Sequence, residues 1–175
     1  MMMAKVLCVH LVSMLGYNML YQDVDMVWFH HPLDYLQHET SADMVFQYDH
    51  NTELRFAPFA ANTGFYYVRA NPRTQYFLGA LVSQMDLVAS TASHTAALTA
   101  LLQTHNTHYG LTVRVLEKET KLFPSGYHWN EEPGYMKEMW GSHVDPYLFH
   151  MSRTENKKVS QFPPILDMYF HKWAD

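Results

Sequence analysis

The first 25 residues constrain the fold most, because an apolar helix pattern, a glycine and an apolar strand pattern follow one another without a break. Residues 4–15 are apolar nearly all round, and Gly16 stands where the C-cap of a helix would fall. Residues 17–22 are typical of a central strand, which ends at Asp23 and Asp25. This order of helix, turn, strand and polar loop is typical of α/β sheets, whose ligands gather beyond the carboxyl ends of the strands. We therefore expect an α/β fold with a functional site at the two aspartates.

The two aspartates are candidate metal ligands. Alternate residues of an extended chain point the same way, so Asp23 and Asp25 can face one site while Val24 faces the packed interior. Carboxylates at the end of a buried strand are costly unless they bind a positive group. Their hard oxygen atoms suit magnesium, manganese or calcium better than zinc. The alternative for an isolated Asp-x-Asp pair is a turn with solvated carboxylates.

The composition predicts one folded domain and argues against a nucleic-acid partner. The 175 residues are 48% hydrophobic and 17% charged, which is enough apolar material for a sizeable core. A net charge of -5 with only 12 Lys and Arg does not provide the basic surface that phosphate backbones require. The single cysteine, Cys8, excludes an internal disulfide, and we expect its thiol to be buried.

The apolar N-terminal run is open to two interpretations. It resembles a signal peptide superficially, but His10 interrupts it and no small-residue cleavage site follows. It is also shorter than the stretch of about 20 apolar residues that spans a bilayer. We expect a buried helix, and no membrane segment in this chain.

The remaining elements are predicted from local signals. Helices are expected at 32–37 with Pro32 in the first turn, from Asn71 and Pro72 to about residue 88, at 95–104 with Ser93 as a cap, and at 155–161. Strands are expected at 43–48, 112–116 and 147–151, and residues 60–69 are expected to form a loop that leads into a strand. Residues 123–145, rich in Gly, Pro, Trp and Tyr, are expected to form an ordered loop region.

Three segments together resemble a known family. They are the stretch from Lys5 through Leu33, the segment Asn62-Thr-Gly-Phe65 with Arg69, and Asp145-Pro146 with His150 and Lys157. The set resembles the nucleotide-diphospho-sugar transferase domain of GT-A glycosyltransferases, particularly family 77, in which the two aspartates would be the DxD motif. The resemblance implies an α/β fold, GT-A type and Rossmann-like, with a mixed sheet flanked by helices in a single partial domain over residues 1–175. Because the resemblance begins at the helix before the DxD strand, we expect the first nucleotide-binding strands to be lacking.

The resemblance also implies a reaction and its participants. The protein would be a metal-dependent glycosyltransferase that moves a sugar from a nucleotide-diphospho-sugar donor to a glycan or glycoprotein acceptor, with retention of anomeric configuration. The expected ion is Mn²⁺, with Mg²⁺ as the alternative. The full-length protein is expected in the Golgi lumen or associated with its membrane.

Particular residues carry over from the family's motifs. Asp25 is the first candidate for direct metal ligation, and Asp23 would be a second ligand or would hold the ribose of the nucleotide. His150 would close the metal or diphosphate site, and Lys157 or Lys158 would add positive charge against the phosphates. The alternatives without a ligand are a core position for His150 and a solvated helix face for the two lysines.

Three further residues are candidates for contact with the reacting sugars. Asn62 would hydrogen-bond a sugar hydroxyl, and Gly64 would let a sugar approach the backbone, although the two could merely form a turn. His128 lies in a segment where related enzymes carry a loop near the acceptor. All three assignments follow from the resemblance.

One departure from the family weakens the expectation of catalysis. Ser93-His94-Thr95 stands where the resemblance implies an Asp-Gln pair, whose acid would face the sugar or the acceptor. The alternative function is therefore a non-catalytic carbohydrate or nucleotide-sugar binding module derived from the same fold. A metal-dependent hydrolase built on the histidines ranks below both, because the sequence has no clustered histidine spacing such as His-x-x-x-His.

Overall fold

A computed structural model of the chain describes residues 2–38, 41–50, 57–84, 94–116 and 121–152. The predicted helix at 155–161, the cap Ser93 and the lysines at 157 and 158 lie outside these residues. The chain divides into two compact units. Unit 1 comprises Met1–Gln22 and Thr40–Val115, and unit 2 comprises Asp23–Glu39 and Leu116–Asp175.

Six helices and six strands are described. In chain order they are α1 (Met2–Met14), β1 (Met19–Gln22), β2 (Met26–Trp28), α2 (Pro32–His38), β3 (Met44–Tyr48), β4 (Ala61–Val68), α3 (Pro72–Ser83), α4 (His94–Tyr109), β5 (Val113–Val115), α5 (Gly126–Glu131), α6 (Pro133–Trp140) and β6 (Leu148–His150).

Unit 1 contains a mixed four-stranded sheet in the order β1-β4-β3-β5. β4 pairs antiparallel with both β1 and β3, and β5 runs parallel to β3. Among the described strands β1 lies at the edge of the sheet, and it is only partly buried, so the prediction of a central strand at 17–22 is wrong. β4 and β3 are the two interior strands, and both are buried almost throughout.

The predicted loop at the start of residues 60–69 is also wrong. Asn62 and Gly64 lie inside β4, which runs without interruption from Ala61 to Val68. Its partner across the sheet at this end is β3, where Tyr48 pairs with Ala61 after a register shift. The two residues therefore form extended backbone rather than a turn.

The helices of unit 1 pack on this sheet and on one another. α1 contacts α3 and β1, and α4 contacts α3 and β4. α3 begins as predicted, because the Asn71 side chain accepts the backbone N–H groups of Arg73 and Thr74 in a capping box. α4 extends five residues beyond the predicted end at Thr104.

The prediction that α1 is buried holds for only one of its faces. Val6 and Val9 belong to the core of unit 1, whereas Leu7 and Leu11 are exposed. Cys8 is exposed as well, so the prediction of a buried thiol is wrong. The apolar pattern all round the helix does not distinguish the face that finds a partner from the faces that do not.

Unit 2 is built around β2 and β6, which form an antiparallel two-stranded ladder. Its core cluster joins the ladder to α6 through Val27, Phe29, Tyr135, Met136, Met139, Phe149 and Met151. The prediction of a loop over residues 123–145 is wrong, because α5 and α6 occupy much of it. Both helices have local start signals, Ser125 as N-cap and Pro133 at the first helical position, but they are too short to show helical periodicity.

Among the described residues, none of the helices combines the length and the apolar character that crossing a bilayer requires.

Candidate metal centre

Asp23 and Asp25 lie in the bend between β1 and β2. Both aspartates are half-buried, whereas the Val24 side chain between them is 100% exposed. The prediction that Val24 faces the packed interior is therefore wrong. The alternation of side chains is retained, but a bend lacks the second packed face that a strand would give to Val24.

His150 is the last residue of β6 and is held from both sides. It pairs with Met26 of β2, and its backbone N–H donates to the Pro124 carbonyl at 3.0 Å. Ser125 forms a parallel bridge with it. Only 3% of the His150 side chain is exposed, so the imidazole has little freedom to turn.

The same ladder positions Asp25. The Met151 N–H donates to the Asp25 carbonyl at 2.9 Å, which extends the pairing of β2 and β6 by one more link. Asp25, directly before β2, and His150, the last residue of β6, thus lie at the same end of the ladder. Their approach depends on backbone hydrogen bonds rather than on the two side chains themselves.

The three predicted ligands converge. One potential ligand atom each from Asp23, Asp25 and His150 lies within 4.8 Å of the other two. His150 Nε2 is 3.5 Å from Asp25 Oδ1. Two atoms bound to one ion are separated by at most about 4 to 5 Å, twice the length of a Mg²⁺ or Ca²⁺ bond to oxygen. The trio is therefore consistent with a divalent metal ion, and Asp25 and His150 lie as close together as one metal site would require. Their role as metal ligands stays a prediction.

The chemistry of the donor set agrees with the distances. Two carboxylates offset the charge of a divalent cation, and one imidazole adds a nitrogen ligand. Asp25 is 22% exposed, which leaves an approach for an ion and for a group bound to it. The arrangement can hold a cation against an anionic ligand such as a diphosphate.

Asn62 and Gly64 belong to unit 1 and form a local polar cluster there. Asn62 Oδ1 accepts the Gly64 N–H at 2.7 Å, and Asn62 Nδ2 donates to Asp49 Oδ1 at 3.1 Å. Asn62 is only 6% exposed. Lys5 Nζ donates to the Thr63 carbonyl at 3.3 Å. Contact of Asn62 or Gly64 with a sugar stays a prediction.

Asp49 also belongs to this cluster and was not among the predicted site residues. It follows β3 directly, as Asp23 follows β1, and its backbone N–H donates to the Ala60 carbonyl at 2.7 Å. The signal that could have identified it is the same one that identified Asp23, a carboxylate at the end of an apolar strand.

His128 lies in the first turn of α5 and is 1% exposed. Its Nδ1 accepts the Ser125 N–H at 3.1 Å, which completes a capping box, and its ring centroid is 4.7 Å from that of Tyr135. Burial lowers the pKa of His128, against smaller opposing effects of Glu132 and the Ser125 backbone. This local role is structural, and contact with the acceptor stays a prediction.

Comparison with known proteins shows that the chain matches one family model. The family model described as nucleotide-diphospho-sugar transferase matches residues 1–162. Comparisons with curated proteins and with solved structures gave no match. The mixed sheet flanked by helices agrees with a GT-A-like fold, and the family supports glycosyltransferase-type chemistry with a nucleotide-sugar donor and an acceptor. Because the match covers far more than half of its length, the chain belongs to the nucleotide-diphospho-sugar transferase family.

Proposed function

We propose that the protein is a metal-dependent glycosyltransferase that moves a sugar from a nucleotide-diphospho-sugar to a glycan or glycoprotein acceptor, with retention. The observation that carries the proposal is the convergence of Asp23, Asp25 and His150 within 4.8 Å. A bound divalent ion, Mn²⁺ in our proposal, would act as a Lewis acid toward the diphosphate leaving group. The resemblance to family 77 supports the retaining outcome and a Golgi location.

Different residues would bind the metal ion, the phosphates and the sugars. Asp25 and His150, fixed by backbone pairing of β2 with β6, would hold the ion, and Asp23 would complete the site or bind the ribose. Lys157 or Lys158 would add charge against the phosphates. Asn62 and Gly64 would contact the donor sugar, and His128 would lie near the acceptor.

Ligand-dependent thermal stability tests the metal site. With Mn²⁺ and uridine diphosphate at about 100 times their dissociation constant, binding stabilises the native protein by about 2.7 kcal/mol. For a chain of this size that corresponds to a rise in melting temperature of roughly 5 to 10 °C. We expect Asp25→Ala to abolish the rise, because the variant loses one carboxylate ligand. Differential scanning fluorimetry measures it.

Asp34→Ala is the matched control, since Asp34 is an aspartate of unit 2 whose side chain is 79% exposed. It should show the full ligand-dependent rise. A rise that persists in Asp25→Ala, or that needs no Mn²⁺, would contradict the proposed metal site.

The second candidate, a non-catalytic binding module, is favoured by Ser93-His94-Thr95 in place of the usual Asp-Gln pair. Release of uridine diphosphate from uridine diphosphate sugars, measured with and without acceptor glycans, separates the two functions. A protein that binds uridine diphosphate with Mn²⁺ but never releases it from a sugar donor would be the module.

A further inference from the structure

Unit 2 contains an open groove of about 500 Å³ that the proposed metal site does not use. Its walls include His30, His31, Asp34, Tyr35, Asp145 and Tyr147. The volume falls in the range of about 300 to 1,000 Å³ that small-molecule sites occupy. The groove is therefore large enough for a ligand of one or two rings.

One side of the groove is a supported aromatic wall. Tyr147 stacks on the buried Phe123 with a ring separation of 5.5 Å and an interplanar angle of 6°. Tyr35 contacts both rings, at 5.2 Å from Phe123 and 5.5 Å from Tyr147. Since these contacts fix the two tyrosine rings, a ligand that packs on them orders few side chains on binding.

The polar side of the groove carries two carboxylate–imidazole pairs. His30 Nε2 is 2.7 Å from Asp145 Oδ2, and His31 Nδ1 is 3.7 Å from Asp34 Oδ1. The carboxylates are accessible, with the side chain of Asp145 66% and that of Asp34 79% exposed. Carboxylate oxygens accept hydrogen bonds from hydroxyl groups, and such bonds to a charged acceptor are the stronger kind.

This combination selects against other ligand classes. The described lining residues include neither Lys nor Arg, so the charges of Asp34 and Asp145 disfavour a phosphate or nucleotide. Exposed carboxylates also disfavour a purely apolar ligand, because binding would desolvate them without compensation. A neutral ring with one apolar face and many hydroxyl groups satisfies both sides of the groove, and that description fits a saccharide.

The ladder separates the groove from the metal centre. The N–H groups of Phe29 and His30 both donate to the Tyr147 carbonyl, at 2.9 and 3.0 Å, and so close the end of the ladder opposite Asp25. The groove residues His30 and Tyr147 and the predicted metal ligands Asp25 and His150 therefore lie at opposite ends of the ladder.

We propose that this groove binds a neutral saccharide unit of the acceptor, at a distance from the sugar that receives the transfer. Only the identification of this saccharide as part of the acceptor rests on the proposed function. The groove's preference for a saccharide follows from its own residues. Binding of a remote part of a substrate supplies energy that positions the reacting part.

The test uses the full chain and an array of neutral oligosaccharides, followed by NMR titration with the oligosaccharide that the array retains best. We expect shifts of the resonances of residues around Tyr35 and Tyr147. The double variant Asp34→Ala/Asp145→Ala should weaken the binding at least tenfold and should fold normally, because both side chains are exposed.

Two controls separate the groove from the metal centre. Glu131→Ala removes an exposed carboxylate of α5 outside the groove and should bind the oligosaccharide as the wild type does. Asp25→Ala should also retain oligosaccharide binding while losing the response to Mn²⁺ and uridine diphosphate. That pattern would be seen even if the protein had no transferase activity. Failure of the groove proposal can therefore be distinguished from failure of the proposed function.

Two results would overturn the proposal. One is an array on which the wild type retains no neutral oligosaccharide. The other is an affinity that the double variant leaves unchanged, which would assign the binding to a different surface of the protein.

Discussion

Asp43 ties three segments of unit 1 together through one side chain. It is 3% exposed and receives hydrogen bonds from Arg73 Nε and Nη2, both at 2.8 Å, and from Asn71 Nδ2 at 2.7 Å. The Thr112 N–H donates to Asp43 Oδ2 at 2.9 Å. Burial by itself would raise the pKa of Asp43, but these hydrogen bonds outweigh it and hold the pKa well below its ordinary value. A buried carboxylate with this many donors stabilises the folded state.

Asp43→Asn should therefore lower the free energy of unfolding by about 2 to 3 kcal/mol at neutral pH, because it leaves Arg73 without its ion-pair partner. The ordinary pKa of an unfolded Asp is 3.8, and the folded value is lower. The stabilisation is complete above that ordinary value and is lost as the pH falls toward the folded value. Urea unfolding at pH 7 and pH 3 should show a smaller acid loss in the variant than in the wild type.

Asp34→Asn is the control, since its exposed carboxylate should change the stability by less than about 0.5 kcal/mol. Equal acid losses in Asp43→Asn and wild type would contradict the account of Asp43.

At the residue scale the sequence predicted the metal ligands but not the environment of every neighbour. Side-chain alternation brings Asp23 and Asp25 to one side, and the family resemblance added His150 from the far end of the chain. Asp49 carries the same local signal as Asp23, but its contact with Asn62 depends on the pairing of β3 with β4. The exposure of Val24 depends on how the chain bends after β1. No local pattern predicts either of these.

At the scale of elements, local signals predicted where most helices and strands lie. Asn71 and Pro72 start α3, Pro32 starts α2, and Gly16 follows α1 in a left-handed conformation with φ of +83°. Strand order was not predictable in the same way, because the edge position of β1 depends on its pairing with β4 more than 40 residues later. The short helices α5 and α6 have starting signals but no measurable period.

The conformation of Gly16 gives a test at this scale. Gly16→Ala should lower the free energy of unfolding by about 1 kcal/mol, because an L side chain is disfavoured at positive φ. No atom lies within 4 Å of the position that a Cβ would occupy at Gly16, so the backbone conformation alone produces the effect. Chemical denaturation measures it.

Gly134→Ala is the matched control with the opposite sign. A Cβ at Gly134 also meets no atom within 4 Å, but Gly134 lies in α6, where alanine is the better helix former. We expect a gain of about 0.5 to 1 kcal/mol. If Gly16→Ala leaves the free energy of unfolding unchanged or raises it, the helix-terminal role of Gly16 is wrong.

At the scale of the whole molecule, composition predicted a large core but not its division. The chain leaves unit 1 after Gln22, returns at Thr40 and leaves again after Val115. None of these crossings has a Pro-, Gly- or Ser-rich linker, so no local sequence signal marks the boundary between the units. The predicted metal ligands belong to unit 2, and Asn62 and Gly64 belong to unit 1.

Among the described residues, His105 of unit 1 and His128 of unit 2 are buried beside aromatic rings, and this predicts how the protein responds to acid. His105 of unit 1 is 3% exposed and lies 4.9 to 5.3 Å from the rings of Tyr76, Phe77 and Tyr109. His128 of unit 2 is 1% exposed. Burial lowers the pKa of both residues from the ordinary value of 6.5. Both are therefore neutral in the folded protein at pH values where the unfolded chain already binds protons.

The protein should consequently lose stability as the pH falls below about 6.5, by up to about 1.4 kcal/mol per pH unit for each histidine, because the unfolded state binds the extra protons. Above that pH neither state is protonated and the contribution is constant. His105→Phe should reduce the slope of the free energy of unfolding against pH. The variant should fold, because phenylalanine fits among aromatic rings and His105 Nδ1 has no hydrogen-bond partner among the described residues. Urea unfolding between pH 7.5 and 5.0 measures the slope. An equal slope in His105→Phe and in the wild type would contradict this account of acid sensitivity.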